Sequence, residues 1–174
     1  LVMERVEGGS LTSFAAGKNI TLKTNPTKED ARESYENFRT IFLQLAHILK
    51  TLHENKIIFT DFSPNNVIVN SATMEVKLID FEGAYEVDVD APVPLFTPGF
   101  VAPAQMSGQS SSAESDFFAL GATMHYYLAP VNQIFAIHPK ARYGFVKSVI
   151  EDIGFPKVLY TLISKLIDKS AAKR

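Results

Sequence analysis

Two short polar strings flanking a hairpin pattern constrain this chain more than any other feature. Asp61-Phe62-Ser63-Pro64-Asn65-Asn66 precedes the apolar run Val67-Ile68-Val69, and Asp80-Phe81-Glu82-Gly83 follows the run Val76-Lys77-Leu78-Ile79. Asn70 to Glu75 between the runs reads as the turn of a hairpin. Such a hairpin folds back on itself. The loop before its first strand then meets the loop after its second, so Asp61, Asn66 and Asp80 converge although Asp80 is distant in sequence.

The convergence has chemical content. A carboxylate beside an amide oxygen is a hard-oxygen set suited to Mg²⁺, which keeps several waters and often bridges substrate phosphates. A second carboxylate nearby can accept a proton from an incoming hydroxyl. These are the parts of phosphoryl transfer, in which the protein mainly positions groups and neutralises charge.

The rest of the chain reads as mostly helical. Leu1 to Val6 has the pattern of a short strand, Glu7 to Ser10 of a turn, and residues 12–26 are polar and irregular. Thr27 reads as an N-cap with Glu29 and Asp30 in the first turn, where carboxylates meet the positive end of the helix dipole. Phe38, Ile41, Phe42, Leu45, Ile48, Leu49 and Leu52 then recur at helical spacing to about Glu54, with Asn55 as the stop. Ile57-Ile58-Phe59 is a short strand-like run. Pro92, Pro94, Pro98 and Pro103 exclude one continuous helix after the hairpin. Helix resumes near Ser115, apolar on most sides, and two more are expected at about Arg142–Asp152 and Pro156–Lys169. Pro156 suits a first helical position.

Composition narrows the class. The 174 residues suit one domain or one lobe of a larger enzyme. At 46% hydrophobic the chain can bury a sizeable core. With no cysteine there is no disulfide framework, thiolate zinc site or cysteine nucleophile, and a reducing cytoplasm is the expected compartment. A net charge of −2 gives no nucleic-acid footprint, and no run is long and apolar enough for a membrane span. Charge is nonetheless uneven. Between Lys77 and Lys140 there is no Lys or Arg, and seven acids: Asp80, Glu82, Glu86, Asp88, Asp90, Glu114 and Asp116. From Lys140 onward eight basic residues face three acidic ones. The acidic stretch is either a solvated loop or a surface for cations, a metal or a basic peptide.

Asp61-x-x-x-x-Asn66 followed by Asp80-Phe81 resembles the protein-kinase catalytic loop H-R-D-x-x-x-x-N and the D-F-G motif. Thr97-Pro98-Gly99-Phe100-Val101-Ala102-Pro103 resembles the end of an activation segment, and Ser115 to Gly121 the buried helix after it. Leu1 to Leu11 resembles the hinge strand and the start of the C-lobe. The likeness covers nearly the whole chain, in order. It implies an α+β, mainly α fold: a kinase C-lobe, a helical bundle with a small β hairpin bearing the catalytic and metal-binding loops. Residues 1–11 would be the hinge and C-lobe start and 12–174 the C-lobe. The catalytic loop would be 59–66, the metal motif 80–83 and the activation segment 80–104. The Gly-rich loop, strand Lys and helix Glu of an N-lobe are not in this sequence; an N-lobe would lie upstream of it.

The roles implied by the resemblance are specific. Asp61 would be catalytic, Asn66 and Asp80 would hold Mg²⁺, and Glu4, Val6 and Ser10 would lie at ATP. Ser63 and Asp116 would support the loop, Asp116 by accepting from the catalytic-loop backbone. The partner would be a peptide or protein with Ser or Thr. The strings Phe59 to Val67 and Leu78 to Ala84 most resemble the kinase domain of class III or IV lanthionine synthetases, which phosphorylate a precursor peptide. Departures accompany the likeness. Phe59 and Thr60 replace His and Arg, Ser63 replaces a Lys, Glu82 replaces the Gly of D-F-G, and Ala104 replaces the Glu of A-P-E. A small-molecule kinase of the aminoglycoside or choline type shares the core spacing, and a pseudokinase or binding module fits the departures. His47, His53, His125 and His138 lack metal-ligand spacing and read as packing or surface residues.

Overall fold

Thr27 begins the longest element. The structure, a computed structural model, describes residues 5–129 and 139–174. Thr27 Oγ1 accepts from the Asp30 N–H at 3.1 Å and Asp30 Oδ2 accepts from the Thr27 N–H at 2.9 Å. This reciprocal cap satisfies two of the donors that a helix start leaves open. Helix α2 runs Lys28–Glu54 from it and ends at Asn55, as its pattern predicts. Its buried stripe is Phe38, Ile41, Phe42, Leu45 and Leu49.

Helix α4, Ala113–Leu128, is buried on most of its surface and forms the centre of the core. Tyr127 meets Phe38 and Phe42 edge-on, with centroids 5.7 and 5.8 Å apart. Helices α5, Pro139–Asp152, and α6, Val158–Leu166, pack beside it. A Cβ on Gly121 would stand 2.6 Å from the Leu166 Cβ, so α4 and the end of α6 touch through a position with no side chain.

The strands are short. β3, Val67–Val69, and β4, Val76–Leu78, form the expected antiparallel hairpin, with Val67 opposite Leu78 and Val69 opposite Val76. Gln44 of α2 clasps the hairpin. Its Nε2 donates to the Met74 carbonyl at 2.8 Å and its Oε1 accepts from the Val76 N–H at 3.1 Å. A second pair joins β2, Ile57–Ile58, to β5, Tyr85–Glu86. Helix α3, Pro103–Met106, follows the proline-rich segment.

Several expectations are corrected. Within the stretch expected to turn at residues 7–10, Gly9–Ser10 is a strand, β1, paired with Val69 and Ile68, giving a sheet in the order β1-β3-β4. Gly8 precedes it at φ 132°, and a Cβ there would lie 2.6 Å from the Val69 oxygen, so a residue read as turn-forming permits the pairing. Of the strand expected over Leu1–Val6, residues 1–4 lie outside the described residues and residues 5 and 6 are in no strand. Residues 12–26 are not irregular throughout. Helix α1, Leu11–Lys18, is capped by Ser10, and a 3₁₀ turn covers Ile20–Leu22. Only Leu11, Phe14 and Ala15 anchor α1, too few to give a visible period. Helix α5 begins at Pro139 instead of Arg142. Helix α6 begins at Val158, two residues after Pro156, and ends at Leu166 instead of Lys169. Strand β5 has no counterpart in the expected elements. The mainly α, α+β class holds. Among the described residues no helix is long and apolar enough to cross a membrane.

Candidate active site

The loop between β2 and β3 is built on a buried carboxylate. Asp116, in the first turn of α4, is fully buried. Its Oδ2 accepts from the Phe59 N–H and its Oδ1 from the Thr60 N–H, both at 2.9 Å. Thr60 sits at φ 74°, a region that branched side chains rarely enter. The two bonds to Asp116 hold that conformation, and the partly buried Asp61 follows directly after it. His53 Nε2 lies 2.8 Å from Asp116 Oδ2, and its ring packs edge-on against Phe117 at 5.2 Å. The packing role expected of His53 is therefore incomplete: it is a direct partner of the carboxylate that shapes the loop. Nothing in the spacing of residues 53 and 116 announces that contact.

Asp61 and Asn66 are brought together. Asn66 Nδ2 donates to Asp61 Oδ2 at 3.1 Å and to the Asp61 carbonyl at 2.9 Å. Asn66 is buried. With its nitrogen committed to Asp61, its Oδ1 is the end left to meet a cation. The other Asp61 oxygen, Oδ1, accepts from the Thr97 N–H at 2.6 Å. The proline-rich segment thus closes onto the carboxylate, a contact that the separation of residues 61 and 97 hides.

Asp80 follows a residue whose backbone is paired with Asn66. The Ile79 N–H donates to the Asn66 carbonyl at 3.0 Å, continuing the hairpin ladder one step beyond Val67 and Leu78. Asp80 is the next residue, exposed and at φ 64°. Phe81 packs edge-on against the buried Phe59 at 4.9 Å, although 47% of Phe81 remains exposed. Glu82 is exposed. Among the described residues no group of three or more His, Asp or Glu could hold a metal by itself. One carboxylate and one amide oxygen fit Mg²⁺ only with waters and phosphate oxygens completing the shell, which is how that ion usually binds.

The other expected site residues are less convergent. Ser63 is buried, its carbonyl accepts from the Asn66 N–H at 3.0 Å, and its hydroxyl has no partner. Ser10 caps α1, accepting from the Ser13 N–H at 3.2 Å. Val6 is half-buried in a segment without regular secondary structure, and Glu4 lies outside the described residues. A polar cavity of about 290 Å³ beside the sheet is lined by Arg5, Glu7, Ile68, Asn70, Glu75 and Lys77, and by none of Asp61, Asn66 or Asp80. Where Ala104 offers no carboxylate, the next residue supplies an anchor. Gln105 Oε1 accepts from the Ala102 N–H at 2.9 Å and its Nε2 donates to Ser111 Oγ at 2.8 Å. Tyr85 donates its hydroxyl to the Ser111 carbonyl, and burial, with a smaller push from Asp116, raises the phenol pKa.

The protein kinase domain family matches residues 1–174, and the chain belongs to that family. Relatives named as serine/threonine-protein kinases match it over most of its length. One from Dictyostelium discoideum is 35% identical over 130 residues, 72% of this chain and 16% of the relative. One from Acanthamoeba polyphaga mimivirus is 30% identical over 147 residues, 77% of this chain and 51% of the relative. Serine/threonine-protein kinase D of Synechocystis sp. is 35% identical over 137 residues, 74% and 24%. The chain thus spans about half, or much less, of the length of these relatives.

Proposed function

We propose that this chain is the C-terminal lobe of a serine/threonine-kinase-like phosphotransferase, with Asp61 as the base and Asn66 and Asp80 as protein ligands of Mg²⁺·ATP. The observation that carries this reading is the Asn66 side-chain bond to Asp61 combined with the Asn66 main-chain bond to Ile79, beside Asp80. Asp61 would accept the proton of a Ser or Thr hydroxyl as its oxygen attacks the γ-phosphorus. The bond to the β-phosphate oxygen would break and ADP would leave. ATP and Mg²⁺ are the family's usual requirements. Glu4, Val6 and Ser10 remain the proposed adenine-side contacts and Asp116 the support of the loop. The names of the relatives favour a protein substrate over an aminoglycoside or choline. The narrower reading, a lanthionine-synthetase kinase acting on a precursor peptide, rests on the strings around Asp61 and Asp80 alone.

A second reading as a non-catalytic module is favoured by one observation. Ser63, at the position where these kinases keep a phosphate-contacting Lys, is buried with an unpartnered hydroxyl, so that position supplies no charge. The test is ATP-dependent phosphate transfer to Ser/Thr peptides by the full-length protein. Asp61→Asn is expected to lower turnover by roughly 10²–10⁴-fold, the usual share of a general base. Asp80→Asn is expected to abolish it. Unchanged turnover in both variants would refute the assignment.

A further inference from the structure

Resting on the kinase reading, we infer that the substrate peptide is cationic with an apolar anchor, and that it docks in the groove between segment 92–96 and residues 105–111. The groove has a volume of about 230 Å³, with Pro92, Val93, Pro94 and Phe96 on one wall and Gln105 and residues 108–111 on the other. Its second wall is braced by the Gln105 bonds to Ala102 and Ser111 and by the Tyr85 bond to Ser111. Val93 and Phe96 are 49% and 41% exposed, an apolar surface that burial against a side chain would stabilise. Pro92 and Pro94 carry no N–H and the Leu95 N–H bonds to the Val93 carbonyl at 2.8 Å. The wall therefore offers few main-chain donors for strand addition, and recognition falls to side chains. One end of the groove's wall reaches the candidate base, because Thr97 bonds to Asp61.

Charge selects the occupant. The chain enters the groove's wall directly from Glu86, Asp88 and Asp90, all exposed, with exposed Glu82 just upstream. Among the described residues none of these four is in an ion pair. No Lys or Arg lies anywhere from residue 78 to 139. The nearest cation along the pairing is the exposed Lys56, whose carbonyl accepts from the Val87 N–H at 2.8 Å. Among the described residues no ion pair neutralises these four carboxylates, so Lys or Arg flanking the anchor is attracted and an acidic segment is repelled.

The experiment is fluorescence anisotropy on the full-length protein without nucleotide. Three labelled peptides share one Ser and one apolar anchor and differ only in flanking Lys, Gln or Glu. The Lys peptide is expected to bind about tenfold tighter than the Gln peptide at low salt, with the gap closing at high salt. The combined variant Glu82→Gln, Glu86→Gln, Asp88→Asn should erase that gap. Asp90 is left intact because its carboxylate accepts from the Glu86 N–H. Phe96→Ser should weaken all three peptides alike. Equal binding of the three, a gap that survives in the charge variant, or displacement of peptide by self-association through the basic stretch after Lys140 would each overturn the inference. Phosphate transfer is read separately. Transfer to all three peptides alike upholds the kinase reading and sinks this one. Selective binding without transfer does the reverse.

Discussion

At Thr60 a branched side chain holds φ at 74°, and the energy that keeps it there comes from Asp116. Asp116→Ala leaves two buried backbone N–H groups without an acceptor, each costing roughly 1–3 kcal/mol. The variant is therefore expected to lose about 3 kcal/mol or more of unfolding free energy, measured by urea titration, because relaxation of Thr60 recovers only part of that loss. A loss under about 1 kcal/mol would mean that the loop holds its own shape. At this scale the sequence reveals local contacts and conceals distant ones. The Asp61–Asn66 bond spans five residues and follows from spacing. The contacts of Asp116 with His53 and of Asp61 with Thr97, 63 and 36 residues apart, follow from the fold, and of these four residues the sequence points to the loop-supporting role of Asp116 only through the family resemblance.

Among the elements, α2 is legible because its cap and its apolar stripe agree, each a property of nearby residues. The hairpin is legible for the same reason. Strands β1 and β5 are two residues each and exist only because a partner strand lies opposite, so no local pattern reports them. The α2 cap yields a pH prediction. Lys23, followed by the Thr27 backbone and hydroxyl, holds the Asp30 carboxyl well below the usual carboxylate range. A depressed folded pKa gives stability that is present above the unfolded value of about 3.9 and lost as pH falls toward the folded one. The difference in unfolding free energy between the parent and Asp30→Asn should be constant from neutral pH to about 5 and shrink below about 4. A difference that grows on acidification would mean that the folded pKa of Asp30 lies above its unfolded value. The α4–α6 contact is tested by Gly121→Ala. Its Cβ would meet Leu166 and Ile167 at 2.6 and 2.9 Å, so a loss of about 1–3 kcal/mol is expected despite the better helix propensity of alanine. A stabilised variant would show that the two helices can separate freely.

Taken as a whole, the molecule sets its candidate site where a two-stranded hairpin meets a helical core. The hairpin could in principle pair one residue out of step, which would turn every side chain to the opposite face. Gln44 opposes this from a helix about thirty positions earlier, by bonding both the Met74 carbonyl and the Val76 N–H. Gln44→Ala should accelerate hydrogen exchange at the Val76 amide, while exchange in the middle of α2 stays slow. Uniform acceleration would instead mean that the whole fold has loosened. A glutamine remote from any chemistry thus acts as the ratchet pawl of the ladder. By forbidding a slipped alignment it fixes the stagger between the chain at Asn66 and the chain at Asp80, and with it the span that the proposed Mg²⁺ would have to bridge.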